Sequence, residues 1–186
     1  MTGAILRHRV SSGSFIMLKR LVSIAFLLII GSQVFASVTA APAKFSGIWS
    51  LVRSKSEGLT GTLAGADIIL YVDQDLKNIS VDQKIRIRGH EQPSQPLIYS
   101  LEGKDTTAEV VRPMAGTMTL QARWIEKGQV LELKSSISGM NLGKLTGVVT
   151  KEYWELVDDG KGLKITRIRE TPEKTQQFKL YFEKKG

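Results

Sequence analysis

The chain lacks cysteine altogether and has little histidine and few aromatic residues, the last making up 7% of its 186 residues. Without cysteine it forms no disulfide and carries no lipid-modified cysteine, so packing alone must hold the fold. His90 is the only histidine beyond residue 36. One imidazole with no second histidine or thiol beside it argues against a metal cluster and against a Ser-His-Asp site. We therefore expect no catalytic residue, no metal and no cofactor.

Long hydrophobic runs are scarce as well. The apolar block at residues 21–30 is about ten residues long, whereas a membrane-spanning helix needs about twenty. Lys19 and Arg20 precede the block, and Val34-Phe35-Ala36 follows it, with small or branched residues at the positions that a signal peptidase recognises. This order of parts predicts a secretory signal peptide over residues 1–36.

The signal peptide predicts where the protein acts. We expect cleavage after Ala36, with Ala41 as the second choice, and translation that starts at Met17 rather than at Met1. The mature protein is then periplasmic or secreted, with no stable membrane insertion after cleavage.

Charge of one sign is not in large excess once the signal peptide is removed. Residues 1–36 hold four basic residues and no acidic one, so 22 of the 26 basic residues remain against 18 acidic residues. The remaining excess of about four positive charges is spread along the chain without a basic block, which is ordinary solubility charge and predicts no nucleic-acid partner. No pattern indicates an oligomeric state.

Alternation of apolar and polar residues dominates the rest of the chain. Ile79, Val81, Ile85 and Ile87 alternate with polar residues, which is typical of a half-buried strand. Similar runs, separated by short turns rich in Gly, Asn, Asp and Pro, cover residues 45–53, 66–73, 97–101, 106–112, 117–126, 129–137, 145–157, 163–169 and 176–183. They predict an all-β domain over residues 45–186, after a short linker at 37–44. Its fold class is an antiparallel meander closed into an up-and-down barrel of 8–10 strands.

The first strand also carries a family resemblance. Phe45-Ser46-Gly47-Ile48-Trp49 resembles the opening of lipocalins and of their lipocalin-like relatives in the calycin group. Further segments resemble small exported bacterial lipocalin-like proteins of unassigned function: Ala122-Arg123-Trp124, Tyr153-Trp154-Glu155-Leu156, Asp158-Asp159-Gly160, residues 163–167 and residues 178–184.

The resemblance implies a lipocalin-like barrel in which an arginine from the last strands packs on the first tryptophan. Gly47 and Trp49, with either Arg167 or Arg169, would then close the barrel as structural residues.

The lumen of such a barrel is either filled by side chains or open to one small ligand. We expect an exported, non-enzymatic protein that binds a small hydrophobic or amphipathic molecule in its cup. The alternatives are a protein-interaction or inhibitor module with a filled barrel and a small outer-membrane barrel. Strand aromatic residues and one methionine are the candidates for lining the ligand: Tyr99, Met118, Trp124, Tyr153, Phe178 and Phe182.

Overall fold

A computed structural model of the chain describes residues 41–111, 115–141 and 144–186. The predicted signal peptide at residues 1–36 and the first part of the predicted linker lie outside these ranges. In the described ranges, no helix has both the length and the hydropathy needed to cross a membrane.

Within the described ranges, eleven strands form one antiparallel sheet, which confirms the all-β, antiparallel prediction. The strands are β1 (Gly47–Leu51), β2 (Asp67–Gln74), β3 (Asn78–Ile87), β4 (His90–Glu91), β5 (Leu97–Ser100), β6 (Thr106–Val110), β7 (Gly116–Ile125), β8 (Val130–Asn141), β9 (Lys144–Val157), β10 (Gly162–Glu170) and β11 (Thr175–Lys184). The predicted number of 8–10 strands was too low. The two residues of β4, which pair with the end of β3, were not predicted as a strand, because two residues are too few to show alternation.

The strand order follows the chain with one exception. Neighbours along the sheet run β4-β3-β2-β1-β11-β10-β9-β8-β7-β6, and β5 pairs with β3 beside β4. The pairing of β1 with β11 joins the two ends of the described chain, with Trp49 opposite Lys184 and Leu51 opposite Phe182. Short turns explain the meander, because antiparallel neighbours need no long crossover. One of these turns is Asp158–Gly160, between β9 and β10.

The alternation of residue types decides which face of the sheet is buried. In β2, Ile68, Leu70 and Val72 are buried, whereas Asp67 and Tyr71 are exposed. The same rule places the apolar positions of the other long strands in one continuous core. Burial of one face per strand fixes the register, because a shift by one residue would turn the apolar set outward.

The sheet rolls up so that its edge strands approach each other. Thr106 Oγ1 in β6 donates to the Ile98 carbonyl in β5 at 2.6 Å, and the Gln95 amide donates to the Glu109 carbonyl. No backbone ladder joins β6 to β4 or β5 within the described ranges. The two edges are therefore held near each other by side chains.

The segment before β1 packs across one end of the rolled sheet. Ala43, inside the predicted linker, donates its amide to the Gly128 carbonyl at 2.9 Å, and Gln74 accepts from the Phe45 amide at 2.8 Å. The Phe45 ring stacks on Trp124 with centroids 6.1 Å apart and meets Trp154 edge-on at 5.8 Å. Residues 43–45, the end of the predicted linker and the first residue of the predicted domain, are therefore folded, and we call them the plug.

The cation over the first tryptophan is a lysine. Lys184 Nζ lies 5.1 Å from the centre of the Trp49 ring. The resemblance predicted an arginine, Arg167 or Arg169, at this place on Trp49. Instead, Arg167 forms an ion pair with Glu152, and Arg169 lies near the far end of β10, opposite Gln176. The physical reason is register, because Trp49 pairs with the last residue of β11 rather than with β10.

Gly47 is required where Lys184 passes. Its φ of +144° lies in a region that favours glycine, and a Cβ there would stand 2.6 Å from Lys184 Cε. The glycine therefore leaves room for the lysine chain that covers Trp49.

Candidate functional site

A cavity of about 330 Å³ lies inside the rolled sheet. Most of its wall is apolar and comes from six strands, through Leu70, Val81, Leu97, Val110, Met118 and Leu133. Its volume falls within the range of about 300–1,000 Å³ that small-molecule sites occupy.

The cavity reaches the surface near the edges of the sheet. Pro93, Ser94 and Gln95, in the connection between β4 and β5, are exposed and line the cavity. Val111, just after β6, also lines it and is 75% exposed. We call these four residues the mouth.

An ion pair faces the cavity from the middle of the sheet. Arg167 in β10 and Glu152 in β9 are direct cross-strand partners, and Arg167 Nε donates to Glu152 Oε1 at 2.6 Å. The second carboxylate oxygen, Oε2, accepts from Trp154 Nε1 at 2.7 Å. Both oxygens of Glu152 thus have a donor, which is what a mostly buried carboxylate needs.

A third polar residue completes a bridge across the interior. Arg167 Nη2 donates to Gln83 Oε1 at 2.7 Å. Gln83 lies in β3, four places from β10 along the sheet order, so this bond spans the inside of the roll. Gln83, Arg167 and Glu152 are the polar bridge. Its residues line the cavity together with Trp154.

Tyr99 in β5 stands beside the bridge. It is 6% exposed. Burial raises the pKa of its phenol above the ordinary value of 10.0, and the negative charge of Glu152 adds to the rise, while Arg167 and a hydrogen bond with Ser135 oppose it. Tyr99 is therefore a neutral phenol at physiological pH, and among the described lining residues the bridge pair supplies the charges.

The predicted lining residues divide into two groups. Tyr99 and Met118 line the cavity. Trp124 stacks on Phe45 of the plug, and Phe182 is fully buried in the core outside the cavity wall. Phe178 also lies in the core beyond that wall, close to Gly58.

Tyr153 lies on the outer face of the sheet. It borders a shallow surface depression with Lys134 and Lys151, because its neighbours Glu152 and Trp154 take the inward positions. Three arginines, Arg86, Arg88 and Arg112, could in principle meet a ligand carboxylate; Arg86 and Arg88 are exposed, and Arg112 lies outside the described residues. Arg167, by contrast, lines the cavity.

Sequence reasoning missed Gln83, Glu152 and Trp154. Each sits at an inward position of its strand: Gln83 is in phase with Val81 and Ile85, and Glu152 is in phase with Trp154. A polar residue on the apolar face of a strand is the signal that could have found the bridge, because such a residue needs a partner inside.

In the described ranges, no three His, Cys, Asp or Glu side chains are grouped in a way that could hold a metal ion. His90 is exposed in β4.

The fold and the site define a class: an all-β protein with a rolled antiparallel sheet around an apolar cavity that carries one ion pair.

Comparison with known proteins adds no family. Neither the scan against family models nor the search of curated proteins gave a match. Among solved structures, the chain is similar to zebrafish ileal bile acid-binding protein, crystallised with cholic acid, at 14% identity and a TM-score of 0.48. That alignment covers 76% of this chain and 98% of the zebrafish chain.

Proposed function

We propose that this protein is exported and binds one small hydrophobic or amphipathic molecule, non-covalently, in the cavity of its rolled sheet. The observation that carries the proposal is the cavity itself, about 330 Å³ with a mostly apolar wall and a few polar groups, among them the polar bridge that crosses it. Such a composition is typical of small-molecule sites. The export part of the proposal rests on the signal-like sequence at residues 1–36.

Affinity would come from burying apolar ligand surface against the wall. Each Å² of apolar surface removed from water contributes about 25 cal/mol. Orientation would come from the polar bridge, because it is the place where a ligand's polar atoms find hydrogen-bonding partners inside the roll.

The hydrogen bonds of Glu152 and the protonation of Tyr99 favour binding over catalysis. Glu152 accepts hydrogen bonds on both oxygens, from Arg167 and Trp154, so it is held as a structural carboxylate rather than as a base. The raised pKa of Tyr99 keeps its phenol protonated. The cavity supports this function over an interaction module, whose filled lumen would leave no room for a ligand.

The test is a pair of tryptophan substitutions on adjacent residues of β5. Leu97 lines the cavity, whereas Ile98 is 52% exposed on the other face. We expect the mature protein to bind the uncharged dye Nile red with one-to-one stoichiometry. Leu97→Trp should fill the cavity and weaken this binding at least tenfold, and Ile98→Trp should leave it unchanged.

The same pair defines the contrary result. If Leu97→Trp is folded by circular dichroism and binds the dye as well as the unsubstituted protein does, the dye lies elsewhere and the proposed site is wrong. Native mass spectrometry of the purified protein would further show whether a molecule from the producing cells stays bound to it.

Export has its own test. The full chain, produced in a bacterial host, should be recovered from the periplasm or the medium with a mass that begins after Ala36 or Ala41. Full-length protein retained in the membrane fraction would contradict cleavage and favour an uncleaved anchor.

A further inference from the structure

The charges at the polar bridge suggest which polar group a ligand carries. Among the described residues that line the cavity, Arg167 and Glu152 are the two with charged side chains, and they neutralise each other at 2.6 Å. Their side chains are 18% and 16% exposed, so bulk water screens them little. A charged ligand group placed beside them would find no further counter-charge among the described lining residues.

The hydrogen bonds within the bridge leave particular atoms for a ligand. Arg167 uses Nε toward Glu152 and Nη2 toward Gln83, while Gln83 accepts through Oε1. Its amide NH₂ therefore points away from the guanidinium, and both this group and Arg167 Nη1 are donors. A ligand acceptor such as an ester, ketone or amide oxygen matches them.

From these two observations we infer that the cavity selects molecules whose polar end is an uncharged hydrogen-bond acceptor, and that it discriminates against free carboxylates. This inference rests on the proposed function. A carboxylate would have to displace Glu152 from Arg167 or stand unpaired in a mostly buried site, and an unpaired buried charge is strongly unfavourable. An ester carbonyl loses far less hydration on entry and accepts from the same donors.

The experiment compares two ligands with the same acyl chain, methyl decanoate and decanoate, as competitors of Nile red near neutral pH. An ester enters any apolar pocket more readily than its carboxylate does, so the informative quantity is the affinity ratio of ester to carboxylate and its change between variants. Glu152→Gln removes the negative charge that neutralises Arg167. We expect this variant to lower the ratio at least tenfold, because decanoate then gains a partner.

The matched control is Glu155→Gln, which makes the same charge change in the same strand. Glu155 pairs with Lys164 on the outer face, so the ratio should stay as in the unsubstituted protein. A second variant, Arg167→Gln, leaves Glu152 unneutralised and should raise the ratio at least tenfold. It also keeps the inference testable if Glu152→Gln does not fold.

The outcomes separate the two claims. If Nile red does not bind, or if neither decanoyl compound displaces it, the proposed function fails. If the ester displaces the dye but the ratio is the same in the unsubstituted protein and in the folded bridge variants, only the inference about the polar end is wrong. An equal change in Glu155→Gln would also overturn it, because net charge would then explain the effect.

Discussion

Arg167 and Glu152 face each other across β10 and β9, with Nε and Oε1 2.6 Å apart on the inner side of the sheet. The pair joins two neighbouring strands, and through Gln83 it also joins the opposite wall. It is thus a structural contact as well as part of the candidate site.

Removing either member of this pair should destabilise the protein. Arg167→Leu leaves the Glu152 carboxylate without its counter-charge, and we expect a loss of about 2 kcal/mol in the free energy of unfolding, less than for a fully dry pair because the cavity is open at its mouth. Glu152→Leu should behave similarly. The double variant should lose less than the sum of the two, because no lone charge remains. Urea unfolding of all four proteins measures this coupling, and additive losses would contradict it.

The plug before β1 should contribute strongly to stability. Phe45 is fully buried between Trp124 and Trp154, so Phe45→Ala creates a cavity and should reduce the free energy of unfolding by about 3–5 kcal/mol. Leu76→Ala is the control, since Leu76 is 97% exposed and its truncation should change stability by less than about 0.5 kcal/mol. Chemical denaturation compares them. Equal effects would mean that the plug is not part of the fold.

Gly47 should not tolerate a side chain. Gly47→Ala meets an unfavourable φ and the Lys184 chain, and we expect a loss of about 1–3 kcal/mol. Gly65→Ala, with open space around its Cβ and no positive φ, should be neutral or slightly stabilising. Combining Gly47→Ala with Lys184→Ala should recover part of the loss, as seen by thermal unfolding. No recovery would show that the lysine chain plays no part in the strain.

Tyr99 should make stability fall at alkaline pH. Burial raises the pKa of its phenol above 10.0 in the folded state. Below that pH the phenol is protonated in both states, so its contribution is fully present; above it, only the unfolded state loses the proton, and stability falls as pH rises. The extra loss between about pH 10 and pH 11 should be about 1 kcal/mol.

The comparison for this prediction is Tyr99→Phe. The pKa of Tyr181 is also raised, through its hydrogen bond to Asp158, but that residue is present in both proteins and cancels in the difference. Urea unfolding at the two pH values should therefore show a smaller decline for Tyr99→Phe. An identical decline would mean that the Tyr99 phenol titrates normally in the fold.

The all-β architecture was predictable because it is a local property. Alternation in stretches such as Ile79–Ile87, together with turn residues such as Asp159 and Gly160, specifies strands and short reversals without knowledge of any distant residue. The two-residue strand β4 was too short for that signal. The plug was not predicted because Ala43 and Phe45 are anchored by residues about thirty to more than a hundred positions away.

The site depended on relations that no single stretch contains. The sequence by itself determined an antiparallel all-β chain, and it placed Gln83, Glu152 and Arg167 at inward positions of their strands. Only the tertiary structure decided that Lys184 rather than an arginine covers Trp49, and that Arg167 meets Glu152 and Gln83 beside a cavity. The reason is register and closure: alternation tells which face a residue takes, but which residues stand opposite each other depends on how the whole sheet pairs and rolls.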